Sequence, residues 1–206
     1  RINTGHLIVH LALLAGIVVV VFPFLWMLLT SFKTTGESLK IPPTFFPEKW
    51  TLEAYKTITS STIPFGTVYL NTILSAVITT VVQIVFCSMA GYAFARIEFP
   101  FKNFIFVLLL SVLMVPGQIF LLPQYQLIQK MGLLNTIPAL FLPNLFSAFG
   151  TFLLRQFFMS MPQELEDAAI VDGCNRFQIF GRIMVPLIQP GIAALTIFTF
   201  KFAWND

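Results

Sequence analysis

Five long stretches of this chain contain no charged residue, and they constrain its fold more than any other feature. These charge-free stretches are residues 2–32, 57–95, 103–129, 131–154 and 183–200. A helix needs about 20 residues to cross the hydrocarbon core of a bilayer, because each residue adds about 1.5 Å. The apolar runs are continuous and do not alternate with polar residues, which favours helices over barrel strands. We therefore predict an all-α integral membrane protein.

The composition agrees with a membrane environment. Of the 206 residues 57% are hydrophobic and 10% are charged, whereas about a quarter of the residues in a soluble protein carry a charge. No small-residue cleavage site follows the first apolar run, so we interpret it as a retained helix rather than a signal peptide. The apolar parts of the charge-free stretches predict five membrane-spanning helices, near residues 8–30, 67–92, 103–122, 138–158 and 186–204.

The connections between these helices differ in character. Residues 33–66 are polar and contain several prolines, and we predict an ordered loop outside the membrane there. Residues 123–137 predict a short interfacial helix that ends at Gly132. The run Pro116-Gly117-Gln118 predicts a kink in the third span. Residues 159–185 are the most charged part of the chain, and four of the nine acidic residues lie between 164 and 172.

The basic residues do not decide the orientation of the chain in the membrane. An inside N-terminus would place six on the inner side, namely Arg1, Arg96, Lys102, Arg155, Arg176 and Arg182. It would also place six on the outer side, namely Lys33, Lys40, Lys49, Lys56, Lys130 and Lys201. This tie leaves the orientation open on charge bias alone. No run of three basic residues occurs, so the sequence gives no support for a nucleic-acid partner.

The second predicted span carries small and polar residues at every fourth position, namely Asn71, Ser75, Thr79, Gln83, Cys87 and Gly91. Residues four apart share one ridge of a helix, and such ridges let membrane helices approach closely and form hydrogen bonds with one another. We interpret the ridge as a packing seam in preference to a face that lines a substrate path.

No catalytic or ion-relay motif is present. The middle of each predicted span lacks Asp, Glu, Lys and Arg, which argues against proton- or ion-coupled transport. None of the 11 glycines is followed by Lys, so no phosphate-binding P-loop occurs. The two histidines, His6 and His10, are too few ligands for a metal site, and we predict none. The chain is therefore not predicted to be an enzyme, and active transport would require a partner that supplies energy.

Residues 160–186 contain the strongest pattern for an interaction with another protein. Ser160 is a candidate N-cap, and Gly173 is a candidate stop for a helix of about ten residues. Adjacent alanines in this helix would let a partner approach closely, whereas helices that lie on membranes usually carry a basic face. A second short helix is predicted from about 175 to 184, before Pro186. One face of the first helix is predicted to contain Leu165, Ala168, Ala169 and Asp172.

This segment resembles the E-A-A–x3–G–x9–I-x-L-P signature of ABC importer permeases, the EAA motif through which such permeases dock on an ATPase. The matching positions are Asp167, Ala168, Ala169, Gly173, Ile183 and Pro186. Asp167 replaces the usual Glu and Val185 the usual Leu, and the preceding Glu166 is a second candidate for the acidic role. The resemblance implies a set of ATPase-coupling residues, namely Glu166, Asp167, Ala168, Ala169, Asp172, Gly173 and Pro186.

Shorter motifs are similar to those of maltose-type, binding-protein-dependent carbohydrate permeases. They are Ser31-Phe32-Lys33, Thr51-Leu52-Glu53-Ala54-Tyr55, Ala90-Gly91-Tyr92-Ala93-Phe94-Ala95-Arg96, Gly132-Leu133-Leu134-Asn135-Thr136 and Trp204-Asn205-Asp206. The resemblance implies a type I ABC importer permease fold over residues 1–206, with the N-terminus inside and 159–185 in the cytoplasm. Members of the family have a sixth core helix, which we expect beyond residue 206, and a short piece before Arg1. The expected location is the cytoplasmic membrane of a bacterium or archaeon.

The resemblance also implies a function in sugar import. We expect this subunit to form half of a translocation path with a second, homologous permease and to couple to ATPase subunits through residues 160–185. A solute-binding protein would deliver the sugar; ATP and Mg²⁺ would bind the ATPase, and this chain would hold no cofactor. Candidate path residues are Gln118, Asn144 and Trp204. The alternatives are a permease for another solute such as a glycerol phosphate, a non-transporting subunit of a membrane complex, and a passive channel.

Overall fold

The structure, a computed structural model, describes residues 4–60 and 64–205. Three positions of the predicted outer loop, 61–63, lie outside these ranges, as do Arg1 and Asp206. The described residues form helices joined by turns, and none of them lies in a strand. The chain divides into two units, residues 1–68 and residues 69–206, which are described separately below.

The first unit begins with a long apolar helix, α1 (Thr4–Ser31), in which Val9–Ser31 is long and apolar enough to span a membrane. Two short helices follow, α2 (Thr35–Ser38) and α3 (Glu53–Ser60). The Thr34 hydroxyl caps α2 by accepting a hydrogen bond from the Glu37 amide at 3.3 Å.

Two buried charged side chains organise the segment between α1 and α3. Lys33 is 4% exposed; its ammonium group donates to the Thr44 carbonyl and lies 5.0 Å from the centroid of the Trp26 ring. Glu37 is 8% exposed, and its Oε1 accepts hydrogen bonds from the Thr44 hydroxyl at 2.9 Å and the Glu48 amide at 2.7 Å. These contacts give the segment a defined conformation, because the buried charges find their hydrogen-bond partners within the segment itself.

The second unit contains all but the first four residues of α4 (Phe65–Arg96), which is long and apolar enough to span a membrane. Within the small and polar ridge of α4, Ser75, Thr79, Gln83, Cys87 and Gly91 are buried. A Cβ atom on Gly91 would lie 3.0 Å from the Arg155 backbone nitrogen, so a second helix approaches α4 closely at this glycine. From Ser75 to Gly91 the ridge therefore packs against other helices, as a packing seam does.

The third predicted span is sharply bent. Helix α5 (Lys102–Ser111) ends in a 3-10 turn, Val112–Met114, and a second 3-10 turn, Gly117–Phe120, leads into α6 (Leu121–Lys130). The two halves meet at 94°, at the Pro116 kink that the sequence predicts. The range 103–122 is therefore not one straight helix. Gly132, with φ of +70°, follows α6 in the left-handed conformation.

The fourth predicted span is also broken. Helix α7 (Ile137–Phe141) and the 3-10 turn Leu142–Asn144 meet α8 (Ala148–Met159) at 50°. The Ser147 hydroxyl caps α8 by accepting a hydrogen bond from the Gly150 amide at 3.0 Å. The bend exposes backbone carbonyls at a point where an apolar environment demands partners for them.

The last part of the chain begins with α9 (Glu164–Val171). A continuous helical stretch then runs through α10 (Arg176–Gln178), a π-helical turn at Ile179–Met184 and α11 (Val185–Leu187). It meets α12 (Gln189–Trp204) at 77°. The predicted final span, 186–204, therefore starts three residues too early, because the bend lies at Ile188 and not at Pro186.

The core of the second unit joins the charged segment 159–185 to the apolar helices. Its buried side chains come from α4, α8, α9, the π-helical turn, the bend and α12, and they are Cys87, Tyr92, Leu154, Phe158, Ala169, Ile179, Met184, Ile188 and Leu195. In the described residues two helices satisfy the length and hydropathy of a membrane span, or up to five if each bent pair counts as one.

Candidate functional site

Helix α9 forms the centre of the segment that carries the EAA motif. It starts after Pro162 with Gln163 at the N-cap position, and no side chain caps it. The prediction that Ser160 caps this helix is wrong, because Ser160 forms the C-cap of α8. Glu164, Glu166 and Asp167 lie in the first turn, where the helix dipole favours negative charge.

Gly173 terminates α9 through its left-handed backbone. Its φ is +81°, its amide donates to the Ile170 carbonyl at 3.0 Å, and the Cys174 amide donates to the Ala169 carbonyl at 2.9 Å. These two bonds form a Schellman motif, which requires a residue that tolerates positive φ. A Cβ atom added at Gly173 would meet no atom within 4 Å, so backbone conformation rather than space selects glycine here.

The two candidate carboxylates of the EAA motif differ in their exposure. Glu166 is 4% exposed and Ala169 is 5% exposed, so both face the interior. Asp167 and Ala168 are exposed, as is Asp172 at the other end of the helix. The predicted face of Leu165, Ala168, Ala169 and Asp172 is therefore divided, because Ala169 belongs to the core. On α9, Asp167 and Ala168 are therefore accessible from outside, whereas Glu166 is not.

Glu166 is held inside by residues that lie far away in sequence. Its Oε1 lies 3.2 Å from Nε of Arg96, the last residue of α4. Its Oε2 accepts a hydrogen bond from the Tyr92 hydroxyl at 3.3 Å and lies 3.6 Å from Nη1 of Arg176. The sequence analysis missed this cluster. Arg96 ends a long charge-free stretch, but no local feature of the sequence identifies Glu166 as its partner.

Pro186 lies at the other end of the motif. It is exposed, and it sits in α11 directly after the π-helical turn. Proline has no amide hydrogen to continue the normal ladder of hydrogen bonds, and π-helical turns frequently mark functional sites. The structure thus places Pro186 between the core around α9 and the bend that leads into α12.

A second candidate site is a concavity of about 400 Å³ at the break between α7 and α8. Its amide and hydroxyl side chains are those of Gln83, Asn144, Ser147 and Thr199. Its apolar wall consists of Phe146, Phe149, Leu195, Phe198 and Phe202. We call this concavity the polar–aromatic pocket.

Gln83 connects the helices around this pocket. Its Nε2 donates to the Asn144 carbonyl, and its Oε1 accepts a hydrogen bond from the Thr199 hydroxyl at 3.0 Å. One turn further along α4, the Cys87 thiol donates to the Ser147 carbonyl at 3.4 Å. The seam of α4 therefore satisfies the carbonyls that the helix break exposes, and it contributes Gln83 to the pocket wall.

Of the predicted path residues, only Asn144 lines this pocket. Gln118 lies exposed in the 3-10 turn before α6. Trp204 ends α12 and packs against Tyr69 and Phe200, with ring centroids 5.6 and 5.7 Å apart. The structure thus does not bring the three residues together. In the described ranges no group of His, Cys, Asp or Glu side chains could hold a metal ion.

Comparison with known proteins identifies the family. The family of binding-protein-dependent transport system inner membrane components matches residues 87–206, which is more than half of the chain. The chain belongs to this family. The resemblance to carbohydrate ABC importer permeases is confirmed, and the chain is a multi-pass permease subunit of the cytoplasmic membrane. Because the family is one of transport permeases, the prediction that the chain is not an enzyme is also confirmed.

Several permeases are similar to this family member over most of its length. The arabinooligosaccharides transport system permease protein AraQ of Halalkalibacterium halodurans is 36% identical over 91% of this chain and 68% of the relative. The diacetylchitobiose uptake system permease protein NgcG of Streptomyces coelicolor is 36% identical over 96% and 65%. The sn-glycerol-3-phosphate transport system permease protein UgpE of Salmonella typhi is 33% identical over 96% and 72%. The chain thus spans about two thirds of the length of these relatives.

A solved structure supports the fold. The crystal structure of a bacterial ABC transporter involved in the import of the acidic polysaccharide alginate contains a chain that matches this permease with a TM-score of 0.82. The match covers 100% of this permease and 73% of that chain, at 22% sequence identity. The all-helical importer permease fold is therefore confirmed.

Proposed function

We propose that this chain is a permease subunit of an ATP-driven carbohydrate importer. In this proposal it forms half of the translocation path with a second, homologous permease, in the cytoplasmic membrane of a bacterium or archaeon. ATPase subunits, which bind ATP and Mg²⁺, dock on residues 159–185 at the cytoplasmic side. A solute-binding protein delivers sugar from the side that carries the loop 33–66. The observation that carries the proposal is that one side of α9 is exposed, whereas the other side is buried in the core.

The exposed side of α9 has the properties of a docking surface. Asp167 and Ala168 offer a carboxylate beside a small residue, so a basic partner surface can approach closely. Two large apolar side chains nearby, Val171 and Phe177, are 87% and 82% exposed. Exposed apolar groups beside charges are typical of contacts that another protein covers. We assign Asp167, Ala168, Asp172 and Gly173 to the ATPase contact.

The opposite side of α9 gives the docking surface a mechanical connection to the membrane helices. Ala169 packs in the same core as Leu154 of α8, and Ile179 and Met184 continue this core beyond α9. Because packed interiors resist deformation, a displacement of α9 moves its neighbours rather than compressing them. The chain then passes Pro186 and the 77° bend into α12, which supplies Thr199 to the polar–aromatic pocket.

The pocket favours a neutral, hydroxyl-rich solute. Aromatic faces together with amides and hydroxyls are typical of sites that bind sugars. A phosphate group is usually held by Arg or Lys, and the pocket residues identified above are uncharged. The relatives include both oligosaccharide permeases and a glycerol-phosphate permease. The uncharged pocket leads us to prefer a carbohydrate over a glycerol phosphate for this chain.

A Gly173→Arg variant tests the docking assignment. The new side chain would enter the ATPase contact. The positive φ at position 173 would also strain the backbone by about 1–2 kcal/mol once the residue is not glycine. We expect sugar uptake to fall by more than about tenfold while the subunit remains in the membrane. Gly132→Arg is the matched control, because Gly132 also has positive φ and open surroundings but lies after α6. Uptake and membrane abundance of both variants are measured in cells.

The same cells test the partners directly. An affinity-tagged wild-type chain should retain a second permease and an ATPase, and the Gly173→Arg variant should retain the permease but lose most of the ATPase. Normal sugar uptake by Gly173→Arg would contradict the docking assignment. A tagged wild-type chain that retains neither partner would instead support a channel or a non-transporting subunit.

A further inference from the structure

The proposed function leaves one buried ion pair without a role. Arg96 and Glu166 join α4 to α9, and their side chains are 10% and 5% exposed. Glu164, Asp167 and Asp172, the other acidic residues of this segment, are exposed. Burial of charge is costly, so a buried pair beside a docking surface requires an explanation beyond solubility.

Arg96 connects three parts of the second unit. Its Nη2 donates to the Phe158 carbonyl at 2.8 Å and to the Met161 carbonyl. The Phe158 carbonyl lies at the end of α8, where it also accepts from the Met161 amide at 3.3 Å, and the Met161 carbonyl lies in the linker that leads to α9. The same guanidinium presents Nε to Glu166, so one side chain holds the ends of α4 and α8 together with the start of α9.

The carboxylate of Glu166 is held by charge more than by ideal hydrogen bonds. Nε of Arg96 and Oε1 of Glu166 lie 3.2 Å apart, yet neither buried atom makes a hydrogen bond of acceptable geometry. Arg176 approaches the other oxygen, but its side chain is 58% exposed and solvent screens its charge. Arg96 is therefore the principal partner of Glu166.

The route from this pair to the pocket is short and continuous. Gln83 lies 13 residues before Arg96 on α4, which corresponds to about 20 Å of helix. Between them Cys87 contacts the Ser147 carbonyl, and at Gly91 the backbones of α4 and α8 approach closely. Helix α4 therefore joins Arg96 to the carbonyls at the break between α7 and α8 through continuous contacts.

We propose that Arg96 and Glu166 form a positioning pair that transmits the movement of α9 along α4 to the polar–aromatic pocket. The inference rests on the proposed function, because the ATPase supplies the movement. In this division of roles Asp167 meets the ATPase, whereas Glu166 pulls on α4 and does not touch the ATPase. This second connection runs parallel to the route through Pro186 and α12.

The first test examines the pair in the permease alone. Cys174 is half-buried and packs against the core just beyond α9, whereas Cys87 is fully buried and should remain unreactive. In a Glu166→Gln variant α9 loses its charged anchor, and we expect maleimide labelling of Cys174 to accelerate by at least about tenfold. Glu164→Gln is the matched control, because it removes the same charge from an exposed position on the same helix.

The second test measures coupling in the assembled importer with its ATPase and solute-binding protein. We expect Glu166→Gln to lower the sugar transported per ATP hydrolysed by about tenfold. A purely structural pair would lower the amount of assembled complex and leave this ratio unchanged, which would overturn the proposal. Arg96→Lys keeps the charge but cannot reach every partner of the guanidinium. It should therefore lower the sugar transported per ATP hydrolysed, but by less than Arg96→Gln does.

A double variant separates transmission from independent defects. If the two residues act as one unit, Arg96→Gln with Glu166→Gln should lower the ratio no further than the more severe single variant. If the losses of the two single variants instead multiply in the double variant, the two residues do not act as a pair and the proposal is overturned. Absence of an ATPase from the wild-type complex would overturn the proposed function and the transmitting role with it. Unchanged Cys174 labelling in Glu166→Gln, beside a working wild-type importer, would overturn the pair alone.

Discussion

Two segments of this permease bury a carboxylate outside the predicted spans, and they do so in different ways. Glu37, between α1 and α3, is satisfied by the Thr44 hydroxyl and the Glu48 amide, seven and eleven residues away. Glu166, in α9, is held by Tyr92 and Arg96 at the end of α4, 74 and 70 residues away in sequence. The first carboxylate therefore organises its own segment, whereas the second joins separate helices.

The difference indicates what each segment can do. A network whose partners lie within one loop stabilises that loop, but it does not connect movement of the loop to another helix. A network across distant helices makes the position of α9 depend on the position of α4, which is the requirement for coupling between two sites. The predictions below separate the two networks, and their expected effects decrease in the order given.

Removal of the Arg96 side chain should give the largest effect. An Arg96→Ala variant leaves Glu166 buried without its principal partner and removes the hydrogen bonds from Arg96 to the Phe158 and Met161 carbonyls. Breaking a buried pair in this way costs about 3–5 kcal/mol. We expect the free energy of unfolding in detergent to fall by that amount, as measured by thermal or denaturant unfolding. Arg176→Ala, which removes the exposed partner of Glu166, is the control. Equal losses in both variants would contradict the principal role of Arg96.

A methyl group at Gly91 tests whether the long-range network needs the close approach of α4 and α8. In Gly91→Ala the new Cβ would lie 3.0 Å from the Arg155 backbone nitrogen, which cannot move freely. Overpacking of this kind costs about 1–3 kcal/mol. Gly16→Ala, in α1 with open surroundings, is the control, and alanine there should not destabilise the helix. An unchanged unfolding free energy for Gly91→Ala would show that α4 and α8 can separate without loss.

Much of the fold could be predicted from the sequence because the bilayer imposes strong rules. The charge-free stretches predicted helices, and the spacing from Asn71 to Gly91 predicted the seam that the structure buries. Proline at position 116 predicted the sharpest bend. The bends at 145–147 and Ile188 were missed although local signals lie beside them, namely Pro143 and the Ser147 N-cap at the first and Pro190 in the first turn of α12 at the second.

The candidate site was predictable only in its local features. The Gly173 stop follows from the preference of helix ends for glycine, and the structure confirms it. The inward turn of Glu166 does not follow from any local pattern, because its partner lies 70 residues earlier in the chain. The polar–aromatic pocket was missed for the same reason, since Gln83, Asn144 and Thr199 come from three separate predicted spans.

Acid should loosen the locally satisfied network of Glu37. The hydrogen bond from the Glu48 amide, more than any other contact, lowers the pKa of the Glu37 carboxyl below its ordinary value of 4.5. A lowered pKa means that the ionised group stabilises the folded segment above the ordinary value, and this contribution is lost as the pH falls below it. We expect amide hydrogen exchange in 33–51, corrected for its intrinsic pH dependence, to accelerate below about pH 4.5.

The Glu37→Gln variant provides the control for this acid response. Its exchange in 33–51 should already be faster at pH 7 and should show no further acceleration in acid, because the titrating group is gone. Exchange near Cys174 should not change, since Glu37 is satisfied within its own segment. An acid response that persists in Glu37→Gln would assign it to a different carboxylate.

The smallest effect is expected at the exposed pair between Lys40 and Glu48. Their side chains are 51% and 56% exposed, and an exposed pair is screened by water and salt. The Glu48 side chain raises the pKa of Lys40 from its ordinary value of 10.5, so any stabilisation is present at neutral pH and is lost only in strong base.

A Lys40→Met variant should therefore leave hydrogen exchange in 33–51 unchanged at pH 7. It should also keep the acid response, because Glu37 bonds the Glu48 backbone amide rather than its side chain. Loss of that response would show that the side-chain pair, and not the amide, holds Glu48 against Glu37.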